Sequence, residues 1–127
     1  MAPRRLVVSA KTASYSIVDG DSGKVFTTRG ATGAVTFTLP AQTAVTSGFY
    51  VDIVVLAAQN VTVATATADT LATFNDLTAD SIAWVTAGQQ IAQAVRVIAD
   101  GTGWICLHMP APAADGLSVG AYTITTA

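Results

Sequence analysis

Apolar and polar residues alternate with a period of two along much of this chain. In Val35–Leu39 every second residue is apolar and the residues between them are threonines, and Asn60–Ala66 repeats the alternation. A period of two predicts an extended strand with one buried face. Phe49–Ala57 is the most apolar segment, which predicts a central strand. The other segments predicted as strands are Ser14–Val18, Lys24–Thr28, Ser81–Thr86, Ile91–Ala99, Trp104–His108 and Leu117–Thr125.

Glycine, aspartate and proline separate these segments. Asp100-Gly101-Thr102-Gly103 lies between two apolar runs, which predicts a hairpin in which Ala94–Ala99 pairs antiparallel with Trp104–His108. Gly30–Gly33 predicts a tight turn, and Pro40 ends a strand because proline removes a ladder donor. Ala68–Ala79 is the least regular internal segment, so we expect a loop or a single helical turn there.

About eight short strands with frequent turn signals predict an all-β fold, an antiparallel β-sandwich or a small jelly-roll-like barrel. The predicted organisation is an N-terminal arm at residues 1–12, a β-domain at residues 13–109 and a proline-linked, strand-like arm at residues 110–127. The sequence leaves two alternatives for the placement of residues 110–127. This segment adds to a neighbouring subunit, with Leu117, Tyr122 and Ile124 at the interface, or it folds back onto its own domain.

Composition supports a β-protein with much apolar surface to bury. The 127 residues include 24 Ala, 19 Thr and 15 Val but no Glu, and charged residues make up 11%. Straight-chain residues that favour surface helices are therefore scarce. A net charge of −2 leaves no basic surface for nucleic acid or membrane lipid. With so few charges, association with copies of itself or with a larger assembly is the expected outcome.

The usual residues of catalysis and metal binding are few. One cysteine, Cys106, excludes an internal disulfide, and the single histidine, His108, would share its strand face. A Cys-His nucleophile pair is conceivable, but a packed thiol fits this apolar setting better. Asp19 and Asp21 are expected to form a turn rather than a calcium loop, because no Glu closes the site. We therefore expect no catalytic residue, no metal and no cofactor.

The tryptophans and the N-terminus carry weaker signals. Trp84 and Trp104 could line a sugar-binding face, although one aromatic residue per strand is more typical of a core or an interface. The N-terminus has a positive head but only a short apolar stretch before Lys11, which makes a poor signal peptide. We expect synthesis in a cytoplasm without export.

Three motifs between Tyr15 and Leu107 resemble a module of tailed-bacteriophage virion proteins. They are the turn Asp21-Ser22-Gly23-Lys24-Val25-Phe26, the strand Phe37-Thr38-Leu39-Pro40, followed by Gly48 and an apolar strand, and the hairpin Asp100-Gly101-Thr102-Gly103-Trp104. The resemblance implies a non-enzymatic virion protein made in the host cytoplasm. It implies either a capsid decoration (cement) protein that stabilises the head, or a tail fibre or tail appendage module that binds host glycans.

The short arms favour the decoration protein, because tail components usually carry a long shaft. The partners so implied are the major capsid protein and further copies of the chain, as a homotrimer on the capsid surface. Arg4 and Arg5 would then meet acidic capsid residues, unless the N-terminus is simply frayed.

Overall fold

The computed structural model describes residues 5–66, 69–73, 76–84, 91–109 and 122–125. Its elements are almost all strands, joined by turns and by two short 3₁₀ segments at Asp19–Asp21 and Gln42–Ala44. The strands are β1 (Val8–Ala10), β2 (Tyr15–Ser16), β3 (Val25–Thr27), β4 (Val35–Thr38), β5 (Tyr50–Val54), β6 (Val61–Ala64), β7 (Leu71–Thr73), β8 (Asp76–Ala79), β9 (Ser81–Trp84), β10 (Ala94–Ala99), β11 (Trp104–Met109) and β12 (Tyr122–Thr125). The all-β prediction is confirmed.

Two sheets form the fold. The seven-stranded sheet has the order β1-β3-β5-β10-β11-β7-β8, and the five-stranded sheet has the order β12-β9-β6-β4-β2. The predicted hairpin is confirmed, since β10 and β11 pair antiparallel from Ala94 opposite Met109 to Ala99 opposite Trp104. β5 lies inside the larger sheet, between β3 and β10.

The expected antiparallel pairing holds for only part of the two sheets, which are mixed. β1 pairs parallel with β3, β3 with β5, β2 with β4, β4 with β6, and β7 with β11. The reason is that residues 28–34 carry the chain from β3 in one sheet to β4 in the other, so these strands do not form a hairpin. Parallel neighbours need such crossover connections.

Three segment predictions also change. Residues 68–79, expected as a loop or helical turn, include the antiparallel strands β7 and β8. The predicted N-terminal arm includes β1, which belongs to the larger sheet. At the C-terminal end, β12 pairs antiparallel with β9 of its own chain. Residues 122–125 therefore fold back onto their own domain, which is the second of the two alternatives given above. Residues 110–121 lie outside the described residues.

The core lies between the two sheets. Phe26 of β3 and Phe37 of β4 come from opposite sheets, and their ring centroids are 5.8 Å apart. Phe49 meets Trp104 edge-on at a centroid distance of 5.7 Å. Trp84 and Trp104 are 0% and 1% exposed. Because aromatic side chains from both sheets share one cluster, the sheets pack face to face as a sandwich.

No helix among the described residues is long and apolar enough to cross a bilayer.

Candidate functional site

The outer surface of the seven-stranded sheet is largely aliphatic. Along β10 and β11 the residues of one parity, such as Val97 and Cys106, point into the core. The other parity faces outward, and it includes Ile98 paired with Ile105. We call this outer surface the aliphatic face. Its apolar members are Val8, Val25, Val54, Ala72, Leu77, Ile98, Ile105 and Leu107.

Three of these side chains are largely exposed: Val8 at 63%, Leu77 at 76% and Leu107 at 49%. Leu77, Ile105 and Leu107 also line an open groove of about 450 Å³ between β8 and β11. A sheet with one solvated face normally alternates apolar and polar residues, so the apolar residues on both faces of this sheet depart from that pattern.

The outer surface of the five-stranded sheet is different. There the outward residues are small and mostly hydroxylated: Thr36, Thr38, Thr62, Ala64, Ser81 and Ala83. We call this surface the threonine face. The two outer surfaces therefore differ in polarity: the threonine face is mostly polar, and the aliphatic face is mostly apolar.

A polar group occupies the middle of the aliphatic face. Arg96 donates to Asp52 from Nε to Oδ1 at 2.7 Å and from Nη2 to Oδ2 at 2.9 Å. Its guanidinium carbon lies 4.8 Å from the centroid of the Tyr50 ring. Asp52 is only 6% exposed. Arginine and tyrosine are the residue types that most often anchor interfaces.

The Cys106–His108 pair is present but is not arranged as a nucleophile. Cys106 Sγ lies 4.0 Å from His108 Nε2, and the same nitrogen contacts Thr73 Oγ1. Burial raises the pKa of the Cys106 thiol to about 12, although a hydrogen bond with Thr73 lowers it slightly. Burial also lowers the pKa of His108. A protonated thiol beside a neutral imidazole, both turned toward the core, fits the packing role better than catalysis.

Asp21 holds a turn together. Its Oδ2 accepts hydrogen bonds from Tyr15 Oη at 2.8 Å and from the Val18 amide at 3.0 Å, and its Oδ1 pairs with Lys24 Nζ at 2.8 Å. This carboxylate therefore ties β2 and the first 3₁₀ turn to the start of β3. Among the described residues no cluster of three metal-ligating side chains is found.

The interface residues expected from sequence fall on two different sheets. Arg5 is exposed just before β1, at one edge of the seven-stranded sheet. Tyr122 and Ile124 pair with Trp84 and Ile82 at the edge of the five-stranded sheet. Arg4 and Leu117 lie outside the described residues. The two terminal segments are therefore not brought together.

Sequence reasoning missed the aliphatic face. A signal for it exists in Ala94–Ala99, where five of six residues are apolar and both parities of the strand are therefore apolar. Such a run is typical of a strand that is buried on both sides. No model of a known protein family and no curated protein matches this chain.

Proposed function

We propose that this chain is a non-enzymatic structural component of a tailed-bacteriophage particle, a capsid decoration protein that binds the major capsid protein through the aliphatic face. The phage context rests on the sequence resemblance. The three motifs that carry the resemblance lie in turns and strands of the seven-stranded and five-stranded sheets. Asp21–Phe26 leads into β3, and Asp100–Trp104 forms the turn between β10 and β11.

The observation that carries the proposal is the difference between the two outer faces. Ile98 and Ile105 stabilise the pairing of β10 and β11 in the free protein. Together with Leu107 they also form an apolar outer surface, whose burial would stabilise a complex by about 25 cal/mol per Å². The threonine face, by contrast, suits the outside of a particle.

The size of the aliphatic face favours several copies acting together. Seven strands about 4.8 Å apart and about 15 Å long give an area on the order of 400 Å², and stable interfaces use about 800 Å² per partner. One copy therefore binds weakly through this face alone. A homotrimer that meets several capsid subunits at once would hold by avidity, which suits a cement protein on a repeating shell.

Of the candidate catalytic and sugar-binding residues, Cys106, Trp84 and Trp104 are buried and His108 is half-buried, which supports a structural role. Cys106 and His108 lack the exposed, activated geometry of a nucleophile and base. Trp84 and Trp104, the candidate sugar-stacking residues, are in the core rather than on a surface. These positions weigh against an enzyme and against a glycan-binding tail module that uses the tryptophans.

Binding to capsids that lack the protein tests the proposal. The purified chain is mixed with such heads, sedimented with them and imaged by electron microscopy, and we expect regularly spaced knobs over the head. Leu107→Lys places a second positive charge opposite Arg96 on the aliphatic face and should abolish co-sedimentation, because the ammonium would be desolvated without a partner. Thr62→Lys, on the threonine face, is the matched control and should bind normally.

The same imaging on whole particles, heads with tails, covers the alternative: density confined to the tail would overturn the decoration role and favour the tail appendage. Equal loss of binding in the Leu107→Lys and Thr62→Lys variants would show that the aliphatic face is not the contact.

A further inference from the structure

The seven-stranded sheet ends in two strand edges that can accept a further strand. β1 and β8 are its terminal strands, and within the described residues neither has a neighbour on its outer side. The Val7 carbonyl accepts from the Val25 amide at 2.9 Å, and the Lys11 amide donates to the Thr27 carbonyl at 2.8 Å. Backbone groups alternate in direction along a strand, so those of Val8 point away from β3.

The β1 edge is apolar, whereas the short β8 edge combines one exposed apolar side chain, Leu77, with Asp76 and Thr78. Leu6, Val7 and Val8 are 62%, 56% and 63% exposed, and no lysine or proline lies within β1. On β8, Leu77 is 76% exposed. Proteins that remain monomeric usually blunt such edges with inward charges, prolines or bulges. The pairing of β7 with β8 has a register irregularity, but it lies on the inner side of β8.

The charges beside the two edges are complementary. Arg5 precedes β1 and is exposed, whereas Asp80 follows β8 and is half-buried. The other nearby charges have partners in their own chain. Lys11 Nζ lies 3.8 Å from the centroid of the Tyr15 ring, and Asp76 Oδ1 accepts from the Thr78 amide at 2.9 Å. The edges therefore present opposite charges, through Arg5 and Asp80.

We propose that copies of this chain associate head to tail, with β1 of one copy pairing antiparallel to β8 of the next. The pairings within the sheet make β8 run opposite to β1, so a copy rotated about an axis along the strands presents its β1 antiparallel to β8. The register that sets Val8 opposite Leu77 also sets Arg5 opposite Asp80. One arrangement thus joins two exposed apolar side chains and two opposite charges.

Such a contact uses different surfaces on the two copies, so it closes into a ring or extends as a filament. The pairing uses strand edges and leaves the aliphatic face open to another partner. The inference therefore stands whether or not the capsid is that partner, and self-association can fail or succeed independently of capsid binding.

Charge reversal tests the pairing in the isolated protein. Light scattering and sedimentation on the full chain should show association that increases with protein concentration. Arg5→Asp should raise the dissociation constant about tenfold or more, because like charges then meet across the edge. The double variant Arg5→Asp/Asp80→Arg should restore association. Arg29→Asp, at another exposed arginine, is the control and should leave association unchanged.

Cysteine cross-linking tests the direction of the contact without relying on charge. A mixture of Val8→Cys and Leu77→Cys proteins should form a disulfide-linked pair under mild oxidation, while each variant alone should not. Cys106 does not interfere because it is buried. Cross-linking of Val8→Cys with itself would overturn the proposal in favour of a two-fold contact between β1 edges. A wild-type protein that stays monomeric at every soluble concentration would also overturn it.

Discussion

Arg96 and Asp52 are opposite each other on β10 and β5 and are joined by two hydrogen bonds in the middle of the aliphatic face. The carboxylate is buried and the arginine side chain is 42% exposed. Two parallel hydrogen bonds of this kind fix both side chains in one geometry. The pair therefore neutralises the one buried charge of the face and holds Arg96 against the ring of Tyr50.

We expect Arg96→Ala to destabilise the fold more than removal of both charges does. Without Arg96 the Asp52 carboxylate keeps its buried position but loses its partner, whereas Asp52→Ala/Arg96→Ala leaves no charge to compensate. Chemical denaturation of the wild type, both single variants and the double variant gives the coupling energy. A double variant as unstable as Arg96→Ala would contradict this account.

How far the sequence predicts this fold depends on whether a contact is local. The hairpin of β10 and β11 was predictable because Asp100 and Gly101 set the turn and the strands adjoin it. The alternation around Phe37 correctly marked β4, but its parallel pairing with β2 and β6 was not predictable, since these neighbours are distant in sequence. Pairings of that kind are decided by packing between sheets.

Short strands were missed for a related reason. β1 and β7 have only three residues each, too few for a period of two to stand out, and Asn75 and Asp76 suggested a loop beside β7. Their strand conformation comes from the neighbours that they pair with. The aliphatic face was missed because it exists only once β10 and β11 are placed in a sheet, and each outward residue alone is an ordinary apolar residue.

Asp21 should make stability depend on acid pH. Burial raises the pKa of the Asp21 carboxyl. Hydrogen bonds from Lys24, the Val18 amide and Tyr15, together with the charge of Lys24, lower the pKa by more than burial raises it. The pKa therefore lies below its ordinary value of 3.8. A pKa that is lower in the folded state stabilises the fold above the unfolded-state pKa, about 3.9. That contribution is lost as the pH falls through the folded-state pKa.

We therefore expect Asp21→Asn to cost about 2 kcal/mol at pH 7 and progressively less below about pH 4. Urea denaturation at a series of pH values measures the difference from wild type. Asp19→Asn, in the same turn but exposed, is the control and should have a small effect. A constant Asp21→Asn difference across the acid range would show that the carboxylate charge does not matter.

The Cys106 thiol should be inert in the folded protein. Its side chain lies in the core and its pKa is about 12, so little thiolate forms at pH 8. Alkylation should be about a thousandfold slower than for an ordinary thiol, because only the thiolate reacts. Val18→Cys, at an exposed position outside the proposed interfaces, supplies a reference thiol in the same chain, and denaturant should equalise the two rates. Rapid labelling of Cys106 in the native protein would reopen the Cys-His hypothesis.

Gly101 should tolerate no side chain without a loss of stability. Its φ of +92° lies in the left-handed region, and the Asp100 Oδ1 fixes the turn by accepting from the Thr102 and Gly103 amides at 2.8 and 2.9 Å. Gly101→Ala is expected to cost about 1 kcal/mol. Gly33→Ala, where φ is not positive and nothing lies near the added Cβ, is the control. Thermal unfolding measures the melting temperatures of the two variants. Equal melting temperatures would contradict the claim that the left-handed conformation at position 101 requires glycine.

Removal of residues 110–127 should destabilise the domain itself. β12 covers the outer edge of β9, where residues 122–125 pair with Ser81–Trp84. Without it, the backbone groups of β9 that face β12 lose their partners, and the edge beside Ile82 and Trp84, both 0% exposed, opens to water.

The loss of this pairing is expected to lower the free energy of unfolding by about 2–4 kcal/mol, at roughly 1 kcal/mol for each lost hydrogen bond. Circular dichroism melting and tryptophan fluorescence of the truncated chain measure it, and a red shift in emission would report water reaching Trp84. A truncated chain that melts like the wild type but no longer binds capsids would give the opposite answer. The strand at residues 122–125 would then act on a neighbouring subunit, and its pairing with β9 would contribute nothing to the stability of its own domain.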